Sequence, residues 1–353
     1  MSLRAAATIT DECYPMLSIE QIKNACARGE PVILGDPVLA RAAFPLRDTF
    51  YPLGFPLEIE TNNEDVLTAA AANWHGFVKM FEARPLRLRI GVREGRSSEC
   101  PPAPISRVQQ HLFANVADAQ NFAVSDLAQG ISTVWLTEAA VEHRSYLRYF
   151  FLEGTAMCLL STSHTTAIHA ACVERAGSGV LLCGDSGAGK SSLAYACARA
   201  GWTYITDDGC YMVNGRDDLL VVGNCNQARF RPSAMDLFTE LKGRTITKRM
   251  QAGKPSIEIK TTALGNIATS PTSRVNHVVF LNRHSGARQE LVPFPAEVAK
   301  YFMMQVLVSP PAMMEIQSDM IDRLLSSGAL ELRYHDLNWA TDRLARLAEE
   351  GRW

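Results

Sequence analysis

The sequence predicts an α/β fold, and three observations carry that expectation. After residue 160, β-prone runs alternate with helix-forming runs almost to the end of the chain, as a sheet covered by helices requires. A short apolar run, Gly179-Val180-Leu181-Leu182-Cys183, leads into Gly184-Asp185-Ser186-Gly187-Ala188-Gly189-Lys190-Ser191, which reads G-x-x-x-x-G-K-S. A helix-forming run from Ser191 to Ala200 follows and stops at Gly201, a residue suited to a helix end. Residues 1–141 read differently, as an α+β part without such a motif, so a domain boundary is placed just before Glu142.

Within the N-terminal part, Ser18 to Arg28 reads as a helix capped by Ser18, and Pro31 to Glu60 as short β-prone runs broken by Pro and Gly. Asn62-Asn63-Glu64-Asp65 opens a helix over Val66–Phe77 with an acidic first turn. Leu86 to Val92 alternates apolar and charged residues, the mark of a half-buried strand. Further strands are expected near 106–115, 120–125 and 131–137. The part reads equally well as a structural or oligomerisation domain and as a substrate-recognition module.

From Glu142 to Leu160 the pattern predicts one long apolar helix, and Thr165 to Glu174 one strand. Trp202-Thr203-Tyr204-Ile205-Thr206 is a strand ending in Asp207-Asp208-Gly209. Strands are expected at Cys210–Val213, Leu219–Val222, Val275–Leu281, Gln289–Val292 and 329–334. Helices are expected from Ser233 and near 295–306, 311–326 and 337–349. Residues 242–260 form a basic stretch with one acid, Glu258, readable as a surface loop or as a lid over phosphates.

The chain has 353 residues, a formal charge of −2 and nine cysteines, none in a C-x-x-C pair. That charge points to neither nucleic acid nor an anionic membrane as a general partner. No apolar run reaches membrane-spanning length, and Met1 to Ala7 lacks a secretory pattern. Scattered cysteines without metal spacing fit a reducing compartment, so a cytoplasmic location is expected.

The chemistry of the motif is anion binding. Its glycines let successive N–H groups face phosphate oxygens, Lys190 brings a charge to β/γ-phosphates, and Ser191 can ligate Mg²⁺. Gly184 through Ser192 therefore form the candidate ATP site. Asp207 and Asp208 stand at a strand tip, where one carboxylate can hold Mg²⁺ and another can take a proton from a hydroxyl. The bland reading of such a pair is a strand-ending turn. Arg229, Arg231 and Lys260 are candidate cations for the transferring phosphate, or solvated positions. His169 is a candidate site residue or a satisfied structural histidine.

The order His169, Gly184–Ser192, Asp207-Asp208 resembles the catalytic domain of the HPr kinase/phosphorylase family. His169 lies fifteen positions before Gly184, and Gly201-Trp202 is also family-like. The resemblance implies a core related to that of phosphoenolpyruvate carboxykinases. It further implies an ATP- and Mg²⁺-dependent kinase acting on a hydroxyl, most often serine of a protein or peptide, and a homo-oligomer. It assigns Asp208 as base, Asp207 and Ser191 to the Mg²⁺ side, and His169 beside the γ-phosphate. The sequence departs from the bifunctional members at Ala170-Ala171, where they carry Gly-Val, and in the segment around Arg229-Phe230-Arg231-Pro232. A small-molecule kinase and a nucleotide-binding switch without transfer stay open as alternatives. The N-K-x-D of GTPases is absent, as is the L-S-G-G-Q of ABC-type ATPases. The choice between ATP and GTP is not written in a loop that touches only phosphates.

Overall fold

The computed structural model describes residues 18–28, 43–95, 97–246, 255–284 and 288–351. The expectations for residues 1–17 and 31–42, and most of the basic stretch after 246, lie outside the described residues. The remainder is α/β, built on two large sheets.

The first sheet has seven strands. Leu57–Thr61, Leu86–Arg93 and Ile131–Thr137 run parallel, and Leu46–Phe50 joins one edge antiparallel. The other edge is a meander of Phe122–Asp126, Leu112–Val116 and Ile105–Gln109. The alternation read in the sequence explains the central strand: Leu86, Leu88 and Ile90 are buried while Arg87 is exposed. Helix Glu64–Trp74 begins where Asn63 accepts a hydrogen bond from the Asp65 N–H, an N-cap that stops chain entry from leaving that donor unpaired. Val66, Ala70 and Trp74 on one helix face enter the core of this sheet.

The second sheet carries the glycine motif. Its path runs Ala268–Thr269, Thr203–Thr206, Ala170–Arg175, Ser178–Cys183, Thr272–Arg283, Leu220–Gly223, Cys210–Val213 and Thr165–Ile168. Ser178–Cys183 is buried along its whole length and parallel to Thr272–Arg283. One face is covered by helices Lys190–Arg199 and Leu337–Glu350, with Trp202, Tyr204 and Tyr334 fully buried among them. The other is covered by Ala296–Met304 and Pro311–Leu325. Each such apolar side chain contributes about 1.5–3 kcal/mol on burial, so the two faces hold the sheet rigid beneath the loop.

Several elements differ from the sequence reading. The stretch 242–260, read as a surface loop or lid, ends in strand Ile257–Lys260, which pairs with Gln227–Phe230. The strand expected over Thr165–Glu174 is broken at His169. Thr165–Ile168 pairs with Cys210–Val213, whereas Ala170–Arg175 pairs with Ser178–Cys183 and Thr203–Thr206. His169 is the step between those two pairings, which no periodicity reveals because both halves are apolar. The single helix expected over Glu142–Leu160 is a helical run of several pieces, with a π-helical segment at Leu147–Glu153. The wider turn buries Leu147, Phe151 and Leu152 against the first sheet and leaves Arg148, Tyr149 and Glu153 to meet a separate two-stranded sheet of Gln227–Phe230 and Ile257–Lys260.

Gly179 is the tightest point of the strand that feeds the motif. A Cβ there would overlap the Arg274 carbonyl oxygen, and the pairing with Thr272–Arg283 shifts register at this residue. Backbone cannot yield as a side-chain tip can. Gly179→Ala is therefore expected to lower stability by about 1–3 kcal/mol, read as a reduced urea midpoint with unchanged slope.

Candidate functional site

The chain leaves the buried strand at Cys183 and turns through three glycines in the left-handed region, Gly184 (φ 144°), Gly187 (φ 100°) and Gly189 (φ 101°). Gly189 is required twice over. Its φ disfavours a side chain, and a Cβ would sit 2.6 Å from the Tyr334 hydroxyl. The helix Lys190–Arg199 then starts at Gly189 with no side-chain cap, so its first N–H groups face the loop without a side-chain partner. Uncapped donors and the positive end of a helix suit an anion.

Lys190 is buried at 6 % exposure. Its ammonium donates to the carbonyl oxygens of Gly184 (2.6 Å) and Asp185 (3.2 Å), and lies 3.1 Å from Nε2 of His169. Burial lowers the lysine pKa, and the charge of Asp208 opposes that shift. Burial, and then Lys190, also lower the pKa of His169, so its imidazole is neutral at pH 7. With Nε2 accepting from Lys190, Nδ1 carries the proton, and it lies 3.6 Å from Oδ1 of Asp208. Lysine, histidine and aspartate thus form one line from the loop to the tip of the strand Thr203–Thr206.

The two aspartates have different surroundings. Asp208 has a 59 % exposed side chain. Asp207 is buried; Tyr204 donates its hydroxyl to Oδ1 (2.9 Å), and the Arg229 backbone N–H donates to Oδ2 (3.1 Å). Burial, reinforced by Asp208, raises the Asp207 carboxyl to about 6. The Ser191 hydroxyl faces the Asp207 carbonyl oxygen at 3.5 Å. Among the described residues, no group of three or more His, Cys, Asp or Glu is arranged to hold a metal ion alone. A cation such as Mg²⁺ keeps waters and takes much of its coordination from substrate phosphates. Ser191 and the aspartates are the side chains that would hold it.

Of the remaining expected cations, the structure brings Arg231 to the loop, where its Nη2 donates to the Ser186 hydroxyl at 2.8 Å. Arg229, on strand Gln227–Phe230, turns the other way. Its guanidinium meets Glu153 (3.3 Å) and Glu258 (3.6 Å) and lies over the Tyr149 ring. Burial pulls its pKa down, but Glu153, Tyr149 and Glu258 outweigh that and leave it above the ordinary arginine value. Lys260 closes strand Ile257–Lys260 opposite Gln227 and is exposed; among the described residues no hydrogen bond or ion pair joins it to the loop.

Sequence reasoning missed Tyr204, Glu153 and Tyr149. It also missed a cavity of about 150 Å³ that opens onto Asp207 and Asp208 and reaches Leu53, Asn73 and Trp74 of the N-terminal part. Tyr204 could have been suspected, three residues before Asp207 in a buried strand. The others are joined to the site only by the fold.

Fold and site define an α/β protein in which a glycine-rich loop joins a buried strand to an uncapped helix beside paired aspartates. Comparison with known proteins supports an HPr-kinase-related family. The chain is 29 % identical over 117 residues to the HPr kinase/phosphorylase of Geobacillus thermodenitrificans. It is 35 % identical over 79 residues to the protein of the same name from Bacillus velezensis. These stretches cover 33 % and 22 % of this chain, and it spans only 32 % and 23 % of those relatives' lengths. No family model matches. The structure of the HPr(Ser) kinase/phosphatase from Coxiella burnetii aligns over 53 % of this chain and 99 % of its own, with 15 % identity and a TM-score of 0.28.

The buried carboxyl of Asp207 gives a stability test. Folded, it keeps its proton to about pH 6, against an ordinary value of 3.8. The folded state therefore binds more protons in that window, and stability is lost as pH rises through it. The cost at neutral pH is on the order of 3 kcal/mol. Replacing Asp207 by Asn removes this titration. The urea midpoint of Asp207→Asn, relative to the native chain, is expected to rise between pH 4.5 and 7.5; a constant difference would place Asp207 in a solvated setting.

Proposed function

We propose that this protein is a kinase that transfers the γ-phosphoryl group of ATP to an alcohol, with serine of a protein or peptide as the acceptor. The observation that carries the reading is the line from Lys190 through His169 to Asp208, with Ser191 and Asp207 beside it. A loop that only binds nucleotide has no need of an exposed carboxylate aimed outward at the end of such a line. The names of the partial relatives support the same chemistry.

In this reading Gly184 to Ser192 hold the phosphates through backbone N–H groups, and Lys190 leaves its carbonyl partners for the β/γ-phosphates. Arg231, next to Ser186, supplies a second cation. Mg²⁺, when bound, supplies charge neutralisation across the phosphates. Asp208 accepts the proton of the acceptor hydroxyl as its oxygen bonds to the γ-phosphorus. The bond from that phosphorus to the β–γ bridging oxygen breaks, and ADP leaves. His169 lies between Lys190 and Asp208 and, being neutral, does not compete with Lys190 for negative charge. Asp207 is fixed by Tyr204 and the Arg229 N–H, which sets the strand tip from which Asp208 projects.

We also propose the two-part division of the chain at residue 142, with the helical run as a shared element. That run packs in the core of the first sheet while Arg148 and Glu153 reach Gln227 and Arg229 of the second part. A cytoplasmic location belongs to the same proposal, as does assembly into homo-oligomers. Among the described residues no helix is long and apolar enough to cross a membrane. A small-molecule acceptor is the second reading, favoured by the confined cavity beside Asp208.

The test is transfer from γ-labelled ATP with Mg²⁺ and fractionated cell extract, resolving protein from small-molecule products. Lys190→Ala is expected to abolish label transfer and nucleotide turnover; unchanged transfer would remove the loop from the mechanism. Asp208→Asn is expected to keep Mg-ATP binding and lower transfer by about 10²-fold or more. Loss of nucleotide binding in that variant would make Asp208 a metal ligand instead of a base.

A further inference from the structure

The cavity beside the aspartates has walls from both halves of the chain. Asp207, Asp208 and Asn224 line it from the second part, and Leu53, Asn73, Trp74 and Phe77 from the first. The walls are fastened together nearby, where Asn226 Nδ2 donates to the Gly76 carbonyl at 3.2 Å. A Cβ on Gly76 would press that amide at 3.0 Å, so the approach is close.

Two residues of the N-terminal wall bear on what the cavity can hold. Leu53 is buried at 3 % exposure with φ 51° and ψ 26°, a left-handed conformation that costs a branched side chain about 1–3 kcal/mol. Glycine would relieve it, and Gly54 is already next in the turn. Asn73 also lines the cavity, although its amide Nδ2 is sealed from solvent and, among the described residues, has no hydrogen-bond partner. Both residues thus border the space that Asp207 and Asp208 border.

We propose that this cavity is the acceptor site and that the N-terminal half chooses the acceptor, a proposal that rests on the phosphotransferase reading above. The class of ligand follows from size and lining. A space of about 150 Å³ that opens to solvent takes in a reacting group of about the size of benzene, while the rest of the acceptor extends outward. Trp74 and Phe77 contact its carbon skeleton, Asn73 lies against it, and its reacting hydroxyl lies toward Asp208. A seryl residue of an extended peptide and a free compact polyol both present this chemistry. A serine held flat on a folded protein surface does not enter.

The experiment compares the full chain with Asn73→Leu and Leu53→Gly, the second keeping the positive φ of the turn while removing the side chain. Melting temperatures and Mg-ATP Kd report that each variant is folded and binds nucleotide. Transfer from γ-labelled ATP is measured to a short unstructured serine peptide, to free serine, glycerol and myo-inositol, and to cell extract. Label on the peptide or on a free compound, with KM for that acceptor raised at least tenfold in both variants, supports the site and names its source. Transfer whose KM neither variant moves overturns it. Label confined to folded protein in the extract, unaffected by the variants, also overturns the cavity while leaving the kinase standing. No label in any arm removes both.

Discussion

Burying an ammonium group at the end of an interior strand is the constraint on which this structure turns. Lys190 is almost wholly buried, and a charge withdrawn from water is costly unless it is surrounded by oxygen or nitrogen acceptors. The carbonyls of Gly184 and Asp185 provide two acceptors and His169 a third. Those carbonyls point inward only because the loop passes through left-handed glycines, and the loop is anchored only because the strand before it is buried along its length. His169 reaches the lysine because its strand breaks there to change pairing partner. The layout of the sheet, the loop conformation and the neutral histidine thus all answer to one charge.

The paired aspartates show how one dipeptide supplies two environments. The chain bends as it leaves the strand Thr203–Thr206, and the two side chains part there. Asp207 goes inward, to Tyr204 and a backbone N–H, and its carboxyl is hard to ionise. Asp208 goes outward to solvent and the imidazole. The inner residue is fixed by its hydrogen bonds and the outer one is open to solvent.

Much of this was legible in the sequence because it is local. The apolar run, the three glycines and the following helix lie within about two turns of one another, and each rests on short-range backbone preferences. Most strand positions after residue 200 were legible for the same reason, since β-branched runs are bounded by turn residues, but Gln227–Phe230 and Ile257–Lys260 were not. The break at His169 was not, because both flanking segments are apolar and only long-range pairing separates them. Nor was the π-helical segment, where an aromatic-rich run satisfies two packing surfaces at once. Arg229 and Arg231 look equivalent in the sequence, yet Glu153 and Glu258 claim one and Ser186 the other, through contacts that no spacing encodes.

The fastening of Asn226 to Gly76 joins residues 150 positions apart. The phosphate loop, by contrast, is closed by contacts spanning a handful of residues, such as Lys190 to Gly184. Closing a long loop is entropically expensive and belongs late in folding, when most other structure has formed. The order of assembly is therefore built into the chain. The glycine-rich turn exists as soon as its strand and helix meet, whereas the cavity beside the aspartates is finished only when residues 150 positions apart come together. A chain caught between those stages would carry a formed loop beside an unfinished cavity, and completion of the fold is itself the step that couples the two halves.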